Sequence, residues 1–227
     1  ASVPGYLAHY SCFLIAGSGA TVLVDTGHPA HAEAVERDIL AFLGGRPLDY
    51  VFPTHAELPH SGLLERWLAR WPDAVAIGDM RDWHLYAPHL AHRFRHVAPG
   101  EALDLGDRRF LFLQPVWRDL PDTLWGFDTG SRILFLSDAC ACFHPHSPGQ
   151  SDHFTSEIAP PDIALMRDFN AKALHWPRYT DGGPGAAAMD ALLARLQPRM
   201  LASAHGAVVD DWPRMLPLFK AGMAKAA

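Results

Sequence analysis

The sequence has little of what disulfide-stapled, nucleic-acid-binding or membrane proteins need. Three cysteines among 227 residues are too few for a disulfide framework. Lysine and arginine number 19 against 25 acidic residues and are scattered, which excludes nucleic acid as a partner on electrostatic grounds. No apolar run approaches the roughly 20 residues of a membrane helix, so we expect no membrane association. The first residues form neither a basic nor an apolar leader segment, and a cytoplasmic location is the expectation.

The residues that are abundant indicate a globular protein rich in histidine. Hydrophobic residues make up 49% and charged residues 19% of the chain, which excludes disorder. A chain of this length can build one large core, and we predict a single domain over residues 1–227, with two small domains as the alternative. Fourteen histidines favour metal chemistry without locating it. Cys140 and Cys142 are interpreted as small buried hydrophobic residues.

The most informative segment is His-Ala-Glu-Leu-Pro-His at residues 55–60. It follows a run at 49–54 that predicts a buried strand, and it precedes a segment at 61–71 with the pattern of an amphipathic helix. A strand-to-helix turn can direct two imidazoles and a carboxylate at one point. That donor set suits iron, manganese or zinc rather than calcium. The alternative is that these are ordinary polar residues near a helix N-terminus.

Apolar patterning along the chain predicts an α/β fold. The first part runs β-β-α-β-α-β, from a hairpin around residues 17–19 to a short strand at 74–77. The second part is largely β at first, and then helices are predicted over 162–174 and 185–196. A late strand at 200–203 precedes the terminal helix. Two sheets covered on the outside by helices satisfy this order of elements.

Further polar residues directly follow other predicted strands. A strand fixes such a position while the loop leaves it accessible, so ligands and catalytic groups collect there. Any one of these residues alone would more often be a turn aspartate or a surface histidine. Together they supply the mixed imidazole and carboxylate set of a two-metal site. The residues of this kind beyond the 55–60 segment are Asp25, Asp119, Asp122, Asp138 and His205.

The order of these motifs resembles that of the metallo-β-lactamase fold superfamily. The motifs are Asp25-Thr-Gly, the 55–60 segment, Leu120-Pro-Asp-Thr, Leu134-Phe-Leu-Ser-Asp-Ala and Ala204-His-Gly. The resemblance spans nearly the whole chain and implies a four-layer αββα sandwich of two mixed sheets with helices outside. Hydrolases of the superfamily carry a second histidine at the position of Glu57. A glutamate there is similar to the oxygen-binding diiron branch, typified by the catalytic domain of flavodiiron proteins.

Carried over position by position, the resemblance implies ligands for two metal ions. They are His55 and Glu57 for the first ion, His60 and His205 for the second, and Asp138 as the bridge. Asp119 stands where the family has a histidine, and we predict that it binds the first ion, the alternative being a turn-capping role. Pro59 stands where the family has an aspartate, so we expect the second ion to be held more weakly. His144 is a candidate replacement ligand.

The resemblance implies a dinuclear metal protein that binds or activates oxygen, as a sensor, a reductase or an oxygenase component. Two iron ions are expected, with zinc or manganese as alternatives. The chain ends soon after His205, so we expect no flavodoxin-like domain, no flavin, and an external electron donor if the protein reduces oxygen. Oxygen or a small molecule would be the substrate, and a homodimer is left open. The alternatives are a zinc-dependent hydrolase of an ester, lactone or amide and a binding protein that has lost metal.

Two groups of residues flank the predicted site. Aromatic side chains there could line a pocket, although core packing is the expected role of most of them. They are Trp83, Trp117, Trp125, Phe143 and Phe169. Three histidines, at positions 89, 92 and 96, are interpreted as part of a solvated flank, because Pro88 interrupts their helical pattern.

Overall fold

Two mixed five-stranded sheets and seven α-helices form the part of the chain that the computed structural model describes, residues 10–142, 144 and 153–224. The strands are β1 Phe13–Ala16, β2 Thr21–Val24, β3 Tyr50–Phe52, β4 Val75–Gly78, β5 Phe94–His96, β6 Ala102–Asp104, β7 Arg109–Leu113, β8 Trp125–Asp128, β9 Ile133–Phe135 and β10 Met200–Ala202. The helices are α1 Ala32–Leu43, α2 Leu58–Ser61, α3 Leu64–Arg70, α4 Trp83–Tyr86, α5 Ile163–Ala173, α6 Gly183–Leu196 and α7 Trp212–Met223. The predicted α/β class with two mixed sheets is confirmed.

The first sheet has the strand order β1-β2-β3-β4-β5. β1 and β2 form the predicted antiparallel hairpin, and β2 to β5 run parallel. All four residues of β2 are buried, as expected for a parallel strand covered on both faces. Because parallel strands end at the same edge of a sheet, the residues that follow β2, β3 and β4 are brought together there.

The second sheet has the order β10-β9-β8-β7-β6. β6, β7 and β8 are antiparallel neighbours, with Phe112 opposite Gly126. β9 and β10 are parallel, with Phe135 opposite Ala202. The late strand predicted near residue 200 is therefore the parallel partner of β9, and the residues that follow these two strands are also brought to one edge.

The chain divides into two compact units, each built from separate segments. The N-terminal unit comprises Tyr10–Gln114 and Asp122–Gly130, and the C-terminal unit comprises Pro115–Pro121 and the described part of Ser131–Ala227. The prediction of a single domain over residues 1–227 stays a prediction. Among the described residues, no helix combines the length and the hydropathy that crossing a bilayer requires.

Aromatic rings join the two sheets within the N-terminal unit. Phe52, at the end of β3, contacts the edges of Phe110 and Phe112 of β7, with ring centroids 5.6 and 5.2 Å apart. A Cβ at Gly126 would lie 2.2 Å from the ring of Phe110, so glycine at this place makes room for the ring. All three phenylalanines are buried, and each stabilises the unit by about 1.5–3 kcal/mol through burial.

Helices α5 and α7 pack closely within the C-terminal unit. Asp162 begins α5 as its N-cap, with Oδ1 accepting a hydrogen bond from Ala164 N at 2.6 Å. Asn170 donates from Nδ2 to the carbonyl oxygen of Gly222 at 3.1 Å. A Cβ at Gly222 would lie 3.0 Å from the Cβ of Met166, so the glycine allows the two helices to approach.

The predicted elements differ from the observed ones at two places near the site. The helix predicted over 61–71 is observed as α3, which begins at Leu64. A separate short helix, α2, occupies the end of the predicted turn, and Gly62 and Leu63 lie between the two helices. The 79–98 segment contains the edge strand β5, which the sequence does not predict because its residues are half-buried or exposed and lack apolar alternation. The three histidines at 89, 92 and 96 are exposed, in agreement with the predicted solvated flank. Residues 143 and 145–152 of the loop predicted over 143–161 lie outside the described residues.

The two cysteines near residue 141 are buried, as predicted. Burial raises the pKa of the Cys142 thiol to about 11 and raises the pKa of Cys140 as well. Both side chains are therefore neutral at physiological pH and pack as small hydrophobic groups.

Candidate metal centre

The residues that follow β2 and β3 are hydrogen-bonded to each other. Asp25 N donates to the carbonyl oxygen of Phe52 at 2.9 Å and continues the parallel register of the two strands. Asp25 Oδ1 accepts from Thr54 N at 2.8 Å. The backbone of Asp25 has φ 59°, a left-handed conformation that aspartate tolerates better than most residues. These bonds place Asp25 beside the turn that begins at His55.

His60, on the short helix α2, is held by Asp25. The backbone oxygen of His60 accepts from Thr26 N at 2.9 Å, and its Nδ1 lies 3.0 Å from Asp25 Oδ2. Both side chains are buried. A carboxylate at this distance accepts from a protonated Nδ1, and in that tautomer Nε2 is the nitrogen that carries the lone pair. Metal-binding histidines are usually held in this way, by a carboxylate behind the ring.

His55, Glu57 and His60 converge. One potential ligand atom from each of the three lies within 4.8 Å of the others. Glu57 Oε2 lies 3.4 Å from His55 Nε2 and 4.0 Å from His60 Nε2. The imidazole side chains have no exposed surface, whereas the side chain of Glu57 is 54% exposed. Two fixed imidazoles and one adjustable carboxylate form a donor set that fits iron, manganese or zinc.

Thr54 is a buried residue of this centre that the sequence patterns do not indicate. Its Oγ1 lies 3.2 Å from His60 Nδ1 and 3.4 Å from His55 Nδ1. A hydroxyl can both donate and accept, so Thr54 restrains the two rings together. Its position directly before His55 is the only sequence signal that could have pointed to it.

Asp122 contacts the same turn from the segment that leads into β8. Its Oδ2 accepts from Ala56 N at 2.9 Å, and Leu124 N donates to the backbone oxygen of Thr54 at 2.9 Å. The sequence groups Asp122 with the polar residues near strand ends. In the structure its carboxylate binds the peptide between His55 and Glu57.

Asp138 and His205 form a second pair of candidate ligands, in the C-terminal unit. They follow β9 and β10, and Ala204 N donates to the backbone oxygen of Ser137 at 2.8 Å. His205 Nε2 lies 3.2 Å from Asp138 Oδ1, and both side chains are at least nine-tenths buried. The parallel pairing of the two strands therefore brings together residues that are far apart in the sequence, as their strand-end positions predict.

The glycine of the Ala-His-Gly motif is required by close packing. Gly206 has φ 87°, and a Cβ there would lie 1.9 Å from the carbonyl oxygen of Cys142. Cys142 N donates to the backbone oxygen of His205 at 3.3 Å, and Ala207 N donates to the backbone oxygen of Cys142 at 3.2 Å. These bonds fix the backbone on both sides of His205.

Asp119 and His144 also lie in the C-terminal unit, and their ligand roles stay predictions. Asp119 is half-buried, and its Oδ1 accepts from Leu120 N at 2.8 Å, a contact that a turn residue also makes. His144 is buried, and its ring meets the ring of His153 edge-on with centroids 5.5 Å apart.

The flanking aromatic residues mostly pack in the core, as expected. Trp83, Trp117 and Trp125 are buried. Phe169 of α5 is half-buried and meets the ring of His205 at right angles, with centroids 6.3 Å apart. Phe169 is therefore an aromatic residue of this group that contacts a candidate ligand. Phe143 lies outside the described residues.

The chain matches the family model of the metallo-beta-lactamase superfamily over residues 6–136, more than half of its length. It therefore belongs to the metallo-beta-lactamase superfamily. Within this superfamily the solved structures to which it is similar include flavodiiron proteins, such as that of Giardia intestinalis. The predicted resemblance to the flavodiiron branch is confirmed.

Three comparisons define the likeness further. The putative diflavin flavoprotein A 1 of Thermosynechococcus vestitus is 27% identical over 96% of this chain, which covers 38% of that protein. The rubredoxin oxygen:oxidoreductase of Desulfovibrio gigas has a TM-score of 0.72 at 20% identity, covering 95% of this chain and 53% of that chain. The apo chemotaxis sensor ODP of T. denticola has a TM-score of 0.69 at 21% identity, covering 92% and 85%. The chain thus spans about half the length, or less, of the first two proteins.

Proposed function

We propose that this protein is a dinuclear iron protein that binds or activates oxygen. The observation that carries the proposal is the pair of buried imidazoles, His55 and His60, that face the carboxylate of Glu57. The names of the similar proteins support both parts of it, since one is a flavodiiron protein and another is an oxygen oxidoreductase. The zinc hydrolase alternative is less favoured, because a carboxylate occupies the position of a hydrolase imidazole.

The proposed metal ligands are His55, Glu57, His60, Asp119, Asp138 and His205. Asp138 would be the bridge, since one carboxylate can offer an oxygen to each ion. The 3.2 Å approach of His205 Nε2 to Asp138 Oδ1 supports their binding to one ion. Pro59 offers no side-chain donor, so the second ion is the weaker-bound one.

Two ferrous ions held by these residues would supply electrons to oxygen. Neighbouring side chains of the protein hold the candidate ligands in position for the metal. Asp25 accepts from Nδ1 of His60 and so orients Nε2 as the metal-binding nitrogen. Thr54 restrains both rings. The negative charge of Glu57 would offset the positive charge of the metal. Because its side chain is exposed, Glu57 can adjust its position as the charge of the centre changes.

Oxygen is the proposed partner, and a separate electron donor would be needed if the protein reduces oxygen catalytically. The proteins to which the chain is similar carry names that include flavoprotein and rubredoxin, which supports a redox partner of this kind. The expectation that no flavin is bound stays a prediction, tested by the visible spectrum of the purified protein. The homodimer stays open to sedimentation analysis.

Elemental analysis of the purified protein tests the proposal. We expect up to two iron ions per chain, and Glu57→Ala should lose much of this iron because one donor is gone. Glu33→Ala, at an exposed glutamate of α1, is the matched control and should keep the wild-type content. The reduced protein should gain a new absorption band in air. Stoichiometric zinc without iron, accompanied by ester or lactone turnover, would instead establish a hydrolase.

Asp119→Asn tests the ligand that departs most from the family pattern. A metal ligand loses its charge in this variant, and iron affinity should fall by about 10-fold or more. An asparagine can accept the hydrogen bond from Leu120 N in the same turn. The metal-free variant should therefore have the same midpoint of urea unfolding as the metal-free wild type. Unchanged iron content would assign Asp119 to the turn alone.

A further inference from the structure

The turn that carries His55 and Glu57 is anchored on both sides of the glutamate. On the C-terminal side, the backbone oxygen of Glu57 accepts from His60 N at 3.0 Å and from Ser61 N at 2.9 Å. On the N-terminal side, Ala56 N donates to Asp122 Oδ2 at 2.9 Å. The first anchor belongs to helix α2 itself, whereas the second comes from a residue 66 positions away in the sequence.

The anchor at Ala56 bears directly on the geometry of the candidate ligands. The side chain of Glu57 is 54% exposed, so few packing contacts hold it, and its direction depends on the backbone. The peptide at Ala56 connects this side chain to His55, whose ring is fully buried. A rotation of that peptide would move the Glu57 carboxylate away from the imidazoles while the rings stayed in place.

We infer that Asp122 is a positioning residue for the metal centre, which fixes the peptide between His55 and Glu57 and thereby sets how tightly that pair holds a metal ion. The inference rests on the proposed function, because it assumes that the pair binds metal. A carboxylate that accepts from a backbone N–H forms a charge-assisted bond, which is stronger than a bond between neutral groups. Leu124 N, which donates to the oxygen of Thr54 at 2.9 Å, keeps the Asp122 segment alongside the turn.

A cation on the neighbouring strand end contributes to the charge of this region. Arg81, which follows β4, donates from Nε to Asp79 Oδ1 at 2.8 Å. Its pKa is raised first by hydrogen bonding to Asp79, and the charges of Asp79, Asp82 and Asp122 add to this effect. Arg81 therefore contributes a positive charge to the region around Asp122.

Titration of the metal-free protein with Co²⁺, followed by its visible spectrum, tests the inference. Asp122→Ala should weaken Co²⁺ binding by about 10- to 100-fold and change the visible bands at saturation, because the donor geometry is altered. Asp122→Asn should recover most of the affinity, since its amide oxygen can accept the same bond from Ala56 N. Asp104→Ala is the matched control, because Asp104 Oδ1 also accepts a backbone bond, from Gly106 N at 2.8 Å, but in an exposed turn.

Urea unfolding of the four metal-free proteins separates positioning from folding. Each variant should be fully folded in the buffer used for the titration, so that a weaker Co²⁺ complex reflects the site. The inference is overturned if Asp122→Ala binds Co²⁺ with the wild-type affinity and spectrum, or if Asp122→Asn is as weak as Asp122→Ala. Failure of the wild-type protein itself to bind Co²⁺ or iron would instead refute the proposed function, together with the role given to Asp122.

Discussion

In the N-terminal unit, an aspartate accepts a backbone hydrogen bond at each end of the strands, but one of the two aspartates is exposed and the other is buried. At the hairpin end, which comprises residues 17–20 and 104–108, Asp107 Oδ1 accepts from Ser18 N at 2.8 Å in an exposed position. At the metal end, which comprises residues 25–26, 54–62 and 122–124, Asp25 Oδ1 accepts from Thr54 N at 2.8 Å in a buried one.

The second oxygen of each carboxylate shows what the difference in burial does. Asp107 Oδ2 accepts from Arg108 Nη2 at 2.8 Å, and water can replace either partner. Asp25 Oδ2 lies 3.0 Å from His60 Nδ1 with both side chains buried, and there an unsatisfied group would cost about 1–3 kcal/mol. Burial therefore turns a hydrogen bond into a constraint on where a side chain points.

The largest loss of stability is expected at Gly106 of the hairpin end, where close packing matters more than charge. Gly106 has φ 97°, and a Cβ there would lie 2.4 Å from Ser18 Oγ and 2.6 Å from Gly19 N. Gly106→Ala should lower the free energy of unfolding by about 3 kcal/mol, through strain and overpacking. Gly45→Ala is the control, since Gly45 has φ 91° but a Cβ there would have no atom within 4 Å. This variant should lose about 1 kcal/mol of unfolding free energy. Equal losses in urea unfolding would contradict the packing argument.

A second variant sharpens the comparison at the metal end. Asp25→Ala should destabilise the metal-free protein by about 2 kcal/mol, because Thr54 N and His60 Nδ1 lose a buried acceptor. It should also weaken iron binding by about 10- to 100-fold, since His60 is no longer oriented. Asp107→Ala should cost less stability and leave iron binding unchanged. If the two variants behave alike in urea unfolding and metal titration, burial does not make the difference described above.

The smallest expected effect is the pH dependence of the hairpin end. The hydrogen bond from Arg108, followed by that from Ser18 N, lowers the pKa of Asp107 from 3.8 to about 2. A lowered folded-state pKa stabilises the protein at pH values above 3.8, and this stabilisation is lost as the pH falls toward 2. The difference in urea midpoint between wild type and Asp107→Asn should therefore shrink over this range. A difference that stays constant with pH would show that the charge of Asp107 is unimportant.

Much of the candidate site could be predicted because its donors are close in the sequence. His55, Glu57 and His60 lie on one strand-to-helix turn, so local spacing alone indicated that they converge. Asp138 and His205 were singled out by their strand-end positions, and the parallel pairing of β9 and β10 brings them together. The edge strand β5 was not predicted, because a half-exposed three-residue strand has no apolar alternation to reveal it.

The residues that hold the donors could not be assigned from the sequence. Asp25 was recognised as a polar residue at a strand end, but its bond to His60 spans 35 positions, and the bond from Ala56 N to Asp122 spans 66. Such contacts depend on the register of neighbouring strands, and a shift of one residue would turn each side chain to the opposite face.

The sequence by itself determined the chemical types of the donors, the turn that carries three of them and the α/β class of the fold, since these follow from local spacing and apolar periodicity. Only the tertiary structure decided that Nδ1 of His60 faces Asp25, that Thr54 touches both rings and that Asp122 binds the peptide at Ala56. The physical reason is that hydrogen bonds act over about 3 Å, so the partner of a buried polar group is set by how the strands and their loops pack against each other.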